Sequence, residues 1–260
     1  MTDADQAVLV RTQSSGGLRT ITLDSPHNAN ALSTGLLTQL RAALEAAMSD
    51  QDVRVVVLTG AGKVFCAGAD LKERKDMSID EVRARRLKAF AAYDALEKIG
   101  KPCIALVEGA AVGSGGEIAM ACDFIVATEN ASFRTPEALW GTVGATQRLP
   151  RIVGKRLAKD MAYPGRTLSV QEALQAGLVS RIMPAAEAVV RVRQMANEIA
   201  AAPPLAMHLT RDCIDRGVES DPAGALAIEM LAIDTLLQTS DWKQSISTFG
   251  KNKDNGAGHA

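Results

Sequence analysis

Two glutamates sit where a carboxyl group could serve as an acid or a base. Glu117 follows the glycine-rich stretch Gly109-Ala110-Ala111-Val112-Gly113-Ser114-Gly115-Gly116 and opens an apolar run, Ile118-Ala119-Met120-Ala121. Glu137 closes Arg134-Thr135-Pro136-Glu137. A carboxylate at a helix head complements the positive end of the helix dipole, and Pro-Glu is an ordinary helix start. Read singly, each glutamate answers first to that structural description. Partly buried among apolar walls, either would instead hold a proton at a raised pKa and exchange it with a substrate.

The glycines ahead of Glu117 permit positive φ and close backbone approach, and a helix starting there presents unpaired N–H groups. Such a place takes an anion or steadies a developing oxyanion, although read alone it is also a tight turn. It is no dinucleotide fingerprint: Ile118 stands where GxGxxG needs its third glycine. It also lacks the Lys-Ser/Thr ending of a P-loop. A second small-residue loop, Ala67-Gly68-Ala69 between Phe65 and Asp70, has the same two readings.

The elements that must position these residues follow an α/β tempo. Val8 to Arg11 and Arg19 to Leu23 read as a hairpin turning at Gly16-Gly17. Ser33 begins a helical pattern of Leu36, Leu40, Ala43, Leu44 and Ala47. Val53 to Leu58, Cys103 to Val107 and Phe124 to Ala127 are continuous apolar runs, as expected of strands buried on both faces and paired largely in parallel. A charged helix is expected from about Ile79 to Ile99, stopped by Gly100, and a short one from Glu117 to Ala121. Leu178 to Met183 reads as the last strand. The chain therefore divides into a core over residues 1–184 and a helical region over 185–260, whose Ala, Leu, Ile and Met content suits packing against another subunit.

Bulk composition narrows the classes. A chain of 260 residues, 47% hydrophobic, can bury a full core. A net charge of −1 supplies no basic surface for nucleic acid. The basic run Arg83-Ala84-Arg85-Arg86 reads as a solvated helix face, with an anionic ligand site as the alternative. Cys66, Cys103, Cys122 and Cys213 show no metal-ligand spacing, so reduced thiols and no metal site are expected. The start lacks the pattern of a signal peptide, and no window reaches the length of a membrane span. A cytoplasmic protein without a membrane partner is expected.

Several segments recur in a familiar order. Pro26-His27-Asn28-Ala29-Asn30-Ala31-Leu32 comes first, then Phe65 to Leu71, then Gly113 to Glu117 with Cys122-Asp123. Phe133 to Glu137, Thr146-Gln147-Arg148-Leu149 and Gly177-Leu178-Val179 follow. In order and spacing they resemble the enoyl-CoA hydratase/isomerase (crotonase) superfamily, and most of all its two-glutamate hydratases. The resemblance implies a spiral of β-β-α turns with a C-terminal helical trimerisation region, assembled as a trimer or dimer of trimers. It implies an acyl-CoA thioester as substrate and no cofactor beyond the coenzyme A that the substrate carries. By motif position the thioester oxygen falls to the backbone N–H groups of Ala69 and Ser114. Glu117 then matches the base toward water and Glu137 the proton donor to the α-carbon. Coenzyme A is expected along Asn30, Ala31 and Leu32 and along Ala67, Gly68, Asp70 and Leu71, with Lys72 as a phosphate partner and Phe249 approaching from near the C-terminus.

Three differences from the family pattern stand out. Ser114 replaces the commoner middle glycine, and Phe249, Lys251 and Lys253 match the terminal motif only in part. The loop from Trp140 to Ala145 is shorter than the family's, which bears on substrate preference and on where Glu137 sits. Trp140 is expected to fill the acyl pocket, with simple core packing as the alternative. The alternatives to hydration are another reaction of this superfamily (isomerisation, decarboxylation or thioester hydrolysis), or coenzyme A binding with little turnover.

Overall fold

The computed structural model describes residues 7–248, so Phe249 and the residues after it lie outside the described part. The chain forms two compact units, residues 1–200 and 201–260.

In the first unit, β1 (Val10–Ser15) and β2 (Leu18–Leu23) pair antiparallel about Gly16-Gly17. α1 (Thr34–Ser49) starts where the Ser33 side chain accepts the Leu36 N–H, and it buries Leu36, Leu37, Leu40, Leu44 and Ala47. A pattern of strand, short strand and helix then repeats. β3 (Val55–Gly60) and β4 (Val64–Cys66) lead to α2 (Leu71–Arg74) and α3 (Ile79–Glu97). β5 (Cys103–Val107) and β6 (Ala110–Val112) lead to α4 (Ser114–Met120). β7 (Phe124–Thr128) and β8 (Ser132–Arg134) lead through a 3₁₀ turn, Glu137–Trp140, to α5 (Arg148–Ala162), which breaks at Gly154. β9 (Thr167–Ser169), α6 (Val170–Gln175), β10 (Arg181–Met183) and α7 (Ala185–Ala200) complete the unit.

The long strands build one sheet in the order β1-β2-β3-β5-β7-β10, parallel except for the β1–β2 pair. Its central strands read as unbroken apolar runs because both faces are covered. Val56 and Leu58 join the core that holds α1 and α3, while Val55 and Val57 pack with Ala188, Val192 and Ala196 of α7. α7 thus belongs to the sheet, and the compact unit runs on to Ala200, beyond the last strand at Met183.

The short strands form a second sheet, β4-β6-β8-β9, in which β4, β6 and β8 run parallel. Parallel neighbours bring their carboxyl ends to one edge. The loops leaving β4, β6 and β8 therefore lie side by side, and they carry Ala67–Asp70, Gly113–Glu117 and Thr135–Glu137. The α4 helix begins at Ser114 rather than at Glu117, so Glu117 stands inside its first turn and not at its head.

The second unit holds α8 (Pro204–Gly217), α9 (Pro222–Leu237) and α10 (Asp241–Thr248). Asp221 caps α9 by accepting the Gly224 N–H. Ile214, Val218, Leu226, Met230, Leu231 and Leu237 of this unit are exposed.

Candidate active site

The loop after β4 is held against the segment before α1, with the Ala67 N–H donating to Ala29 O at 3.0 Å. Leu32 donates its N–H to Gly68 O at 2.7 Å and accepts the Asp70 N–H at 3.3 Å. Successive residues of an extended segment turn their amides to opposite sides. With Gly68 and Asp70 tied to Leu32, the Ala69 N–H faces the other way, into the cleft. Gly68 has φ +88°, and a Cβ there would stand 2.6 Å from Val112 O, so only glycine lets this loop lie so close to the one after β6. Ser114 opens α4, and the first intrahelical bond runs from the Glu117 N–H to Gly113 O. The Ser114 N–H is thus one of the orphan amides of a helix start. Among the described residues neither Ala69 nor Ser114 donates its amide to an internal acceptor, and both line the cleft.

Glu117 is 5% exposed. Burial raises its pKa; the Ala145 N–H, the Arg148 guanidinium and Arg86 pull it partly back. Arg148 Nη1 stands 3.9 Å from Glu117 Oε1, while its Nε donates to Glu97 at 2.7 Å. Glu137 is half-buried, and its carboxylate lies against the backbones of Gly113 and Gly144. Both of its oxygens are buried with no hydrogen-bond partner among the described residues. Burial raises its pKa too, and the nearby Glu117 carboxylate raises it further. The two carboxyl groups therefore titrate as a pair. Arg148 and the Ala145 amide oppose the rise at Glu117, and the Glu137 amide and Arg86 oppose it at Glu137.

The other expected contacts divide. Ala67, Gly68, Ala69 and Leu71 line the cleft. Asp70 spends its carboxylate on the Lys72 and Glu73 amides and on Asn28 Nδ2, capping α2. Asn30 is fully buried: its Oδ1 accepts the Ser25 N–H, and its Nδ2 donates to Ala61, Val64 and Phe65 carbonyls. Its side chain positions the loop and has nothing left for a ligand. Ala31 and Leu32 are buried beside it, and Lys72 is exposed. Trp140 sits at the cleft rim with 68% of its surface exposed, so it does not fill a pocket in this chain.

Four residues at or beside the site had no role assigned from sequence. Tyr93 of α3 is 1% exposed, with the Ser114 hydroxyl within hydrogen-bonding reach and Glu117 near enough to hold its phenol further up after burial has raised it. Arg148 lies over the Tyr93 ring at 5.1 Å. Arg86 reaches from α3 to the loop after Glu137, and Arg85 is buried against Glu73 and Leu32 O. The basic run on α3 is therefore no solvated face: Arg83 is exposed, and the other two arginines turn inward. Charge counting could not separate them, but their spacing from Tyr93 at i+7 and i+8 puts them on its side of the helix. Among the described residues no cluster of His, Cys, Asp or Glu could hold a metal, and no helix is long and apolar enough to cross a membrane.

The model of the enoyl-CoA hydratase/isomerase family matches residues 13–255. The chain is 39% identical over 232 residues to a mitochondrial enoyl-CoA hydratase of Pongo abelii, covering 88% of this chain and 79% of that one. It is 36% identical over 238 residues to a short-chain-enoyl-CoA hydratase of Clostridium acetobutylicum, covering 90% and 91%. The crystal structure of an enoyl-CoA hydratase from Bacillus anthracis superposes with a TM-score of 0.91 at 34% identity, covering 94% of this chain and 97% of that one.

Proposed function

Since this chain belongs to the enoyl-CoA hydratase/isomerase family, we propose that it adds water across the 2,3 double bond of an enoyl-CoA thioester. The Ala69 and Ser114 amides hold the thioester oxygen as it gains charge, and losing such a donor typically costs about two to three powers of ten in rate. Glu117, ionised, takes a proton from water as its oxygen bonds to the β-carbon. Glu137, protonated, delivers its proton to the α-carbon as the enolate collapses. Two neighbouring carboxyl groups, Glu137 lining the cleft and Glu117 buried close enough to raise its pKa, are the observation that carries this reading. An isomerase needs only one such group.

Coenzyme A runs along the edge formed by Ala31, Leu32 and Ala67 to Leu71, with Lys72 near a phosphate. The reaction needs no cofactor besides the coenzyme A of its substrate. The helical unit from Ala201 onward, with its exposed Leu226, Met230 and Leu231, supports self-association as trimers or pairs of trimers. The protein works in the cytoplasm, with no nucleic-acid or membrane partner.

Loss of the conjugated thioester absorbance of crotonyl-CoA tests the activity. Wild type removes it rapidly, and Glu117→Gln and Glu137→Gln each slow it by several powers of ten. Wild type that binds the thioester without consuming it would overturn the hydratase reading. Conversion to a non-hydrated product would identify one of the other reactions.

A further inference from the structure

The shortened loop after Glu137 is tied down by one residue from a distant helix. Arg86 Nη1 donates to Val143 O at 2.8 Å, and its Nη2 donates to Thr142 Oγ1 at 3.1 Å. Thr142 returns its own N–H to Glu137 O at 3.0 Å. The next residue along, Gly144, supplies the backbone against which the Glu137 carboxylate rests, and the Ala145 amide lies close enough to Glu117 to lower its pKa. Ala145 holds φ +54°, a left-handed conformation that costs a non-glycine residue and persists only where its neighbours impose it.

From this geometry we infer that Arg86 is a positioning residue, a two-point clamp on Thr142 and Val143 that holds Glu117 and Glu137 in working register. A planar guanidinium bonding two acceptors fixes direction as well as distance, which a lysine cannot do. Misplacing a catalytic group by about 1 Å can cost roughly a hundredfold in rate. The clamp is also a cation facing both carboxyl groups. Around Glu117 stand Arg148 of α5 and Arg86 and Tyr93 of α3; around Glu137 stand Glu117 and Arg86. Arg74 and Arg85 line the same cleft.

The test compares Arg86→Gln, Arg86→Lys and Thr142→Val with wild type by two readouts. The first is hydrogen exchange of the amides from Thr142 to Thr146, which does not depend on any activity. Arg86→Gln and Arg86→Lys should speed it about tenfold or more, and Thr142→Val by less. The second rests on the hydratase reading: kcat and KM for crotonyl-CoA across pH. Arg86→Gln should lower kcat about ten- to a hundredfold with KM within about threefold. It should also move the acid limb of kcat/KM to higher pH, because losing a cation raises the carboxyl pKa values. Arg86→Lys should lose rate yet keep the limb. Unchanged exchange in Arg86→Gln overturns the clamp, whatever reaction the protein performs. Faster exchange with unchanged kcat shows a loop tether without a catalytic consequence, and overturns the positioning role. Wild type inactive on crotonyl-CoA would sink the hydratase reading alone, leaving the exchange result to decide the clamp.

Discussion

Gly113 and Glu137 occupy one another's space: a Cβ on Gly113 would stand 2.6 Å from Glu137 Oε1 and 3.3 Å from its Cδ. Gly113 also holds φ +53° and ψ −123°, a region nearly closed to other residues. Gly113→Ala should therefore displace the carboxylate, lower kcat about a hundredfold and cost roughly 1–3 kcal/mol of stability. Gly116→Ala is its control. That Cβ would meet Ala111 O at 3.6 Å, an ordinary contact inside a helix, so activity should hold and stability rise by up to about 1 kcal/mol. Steady-state kinetics and thermal unfolding check both; equal behaviour of the two variants would contradict the packing described.

Arg148 keeps Glu117 more acidic than burial alone would leave it. In Arg148→Met the Glu117 carboxyl stays protonated to higher pH, so less of the base form is present near neutrality. The acid limb of kcat/KM should move up, with a loss that is largest at acid pH and narrows as pH rises. A loss independent of pH would show that Arg148 acts by packing on Tyr93 instead.

The same raised pKa values bear on stability. Between the ordinary carboxylate value and the raised one, the folded chain holds more protons than the unfolded chain. Stability therefore falls as pH climbs through that window and stays lower above it. Glu137→Gln removes one such group. At pH 8 the variant should be more stable than wild type by on the order of 1 kcal/mol, and the two should converge below pH 4. Urea unfolding at both pH values decides it; a variant less stable at pH 8 would mean that the carboxylate is well satisfied in the folded state.

Asn30 joins Ser25 to the Ala61–Phe65 segment through four hydrogen bonds in a fully buried setting. Asn30→Ala leaves a buried N–H and several carbonyls unpaired, which should cost about 3 kcal/mol. Denaturant unfolding measures this, and a change under about 0.5 kcal/mol would remove the network from any account of the fold.

Much of this architecture was legible because the long strands are covered on both faces and so read as unbroken apolar runs. Ser33 and Gly100 marked helix ends for reasons of capping and left-handed backbone. The second sheet was not legible: β4, β6, β8 and β9 are three residues each, too short for any period, and only pairing defines them. α5 hid behind its own breakers. Pro150 falls in the first turn, where no N–H is needed, and Gly154 sits at an actual break. For the site, Glu117 and Glu137 emerged from motif order, since either residue alone is an ordinary helix-start glutamate. Asn30 carried a motif signal but not its meaning, because burial and four partners are properties of the folded loop. Trp140 was expected inward because it begins the loop that shapes the acyl pocket, and that loop leaves it at the rim. Arg86 and Tyr93 lie in a helix whose composition looks like solvent-facing polarity, and only the packing of α3 over α4 reveals what they face.

The bridge between Leu32 and Ala69 has a consequence for inheritance. The amides of Ala69 and Ser114 are supplied by the path of the chain, so almost any codon at either position still encodes the donor. Proline alone lacks the hydrogen. Glu117 and Glu137 have no such protection, since a single nucleotide change can delete a carboxyl group. On the proposed roles, drift would erode the two halves of the site at different rates, and a descendant that had lost both carboxyl groups would still present the two amides to a negatively charged oxygen.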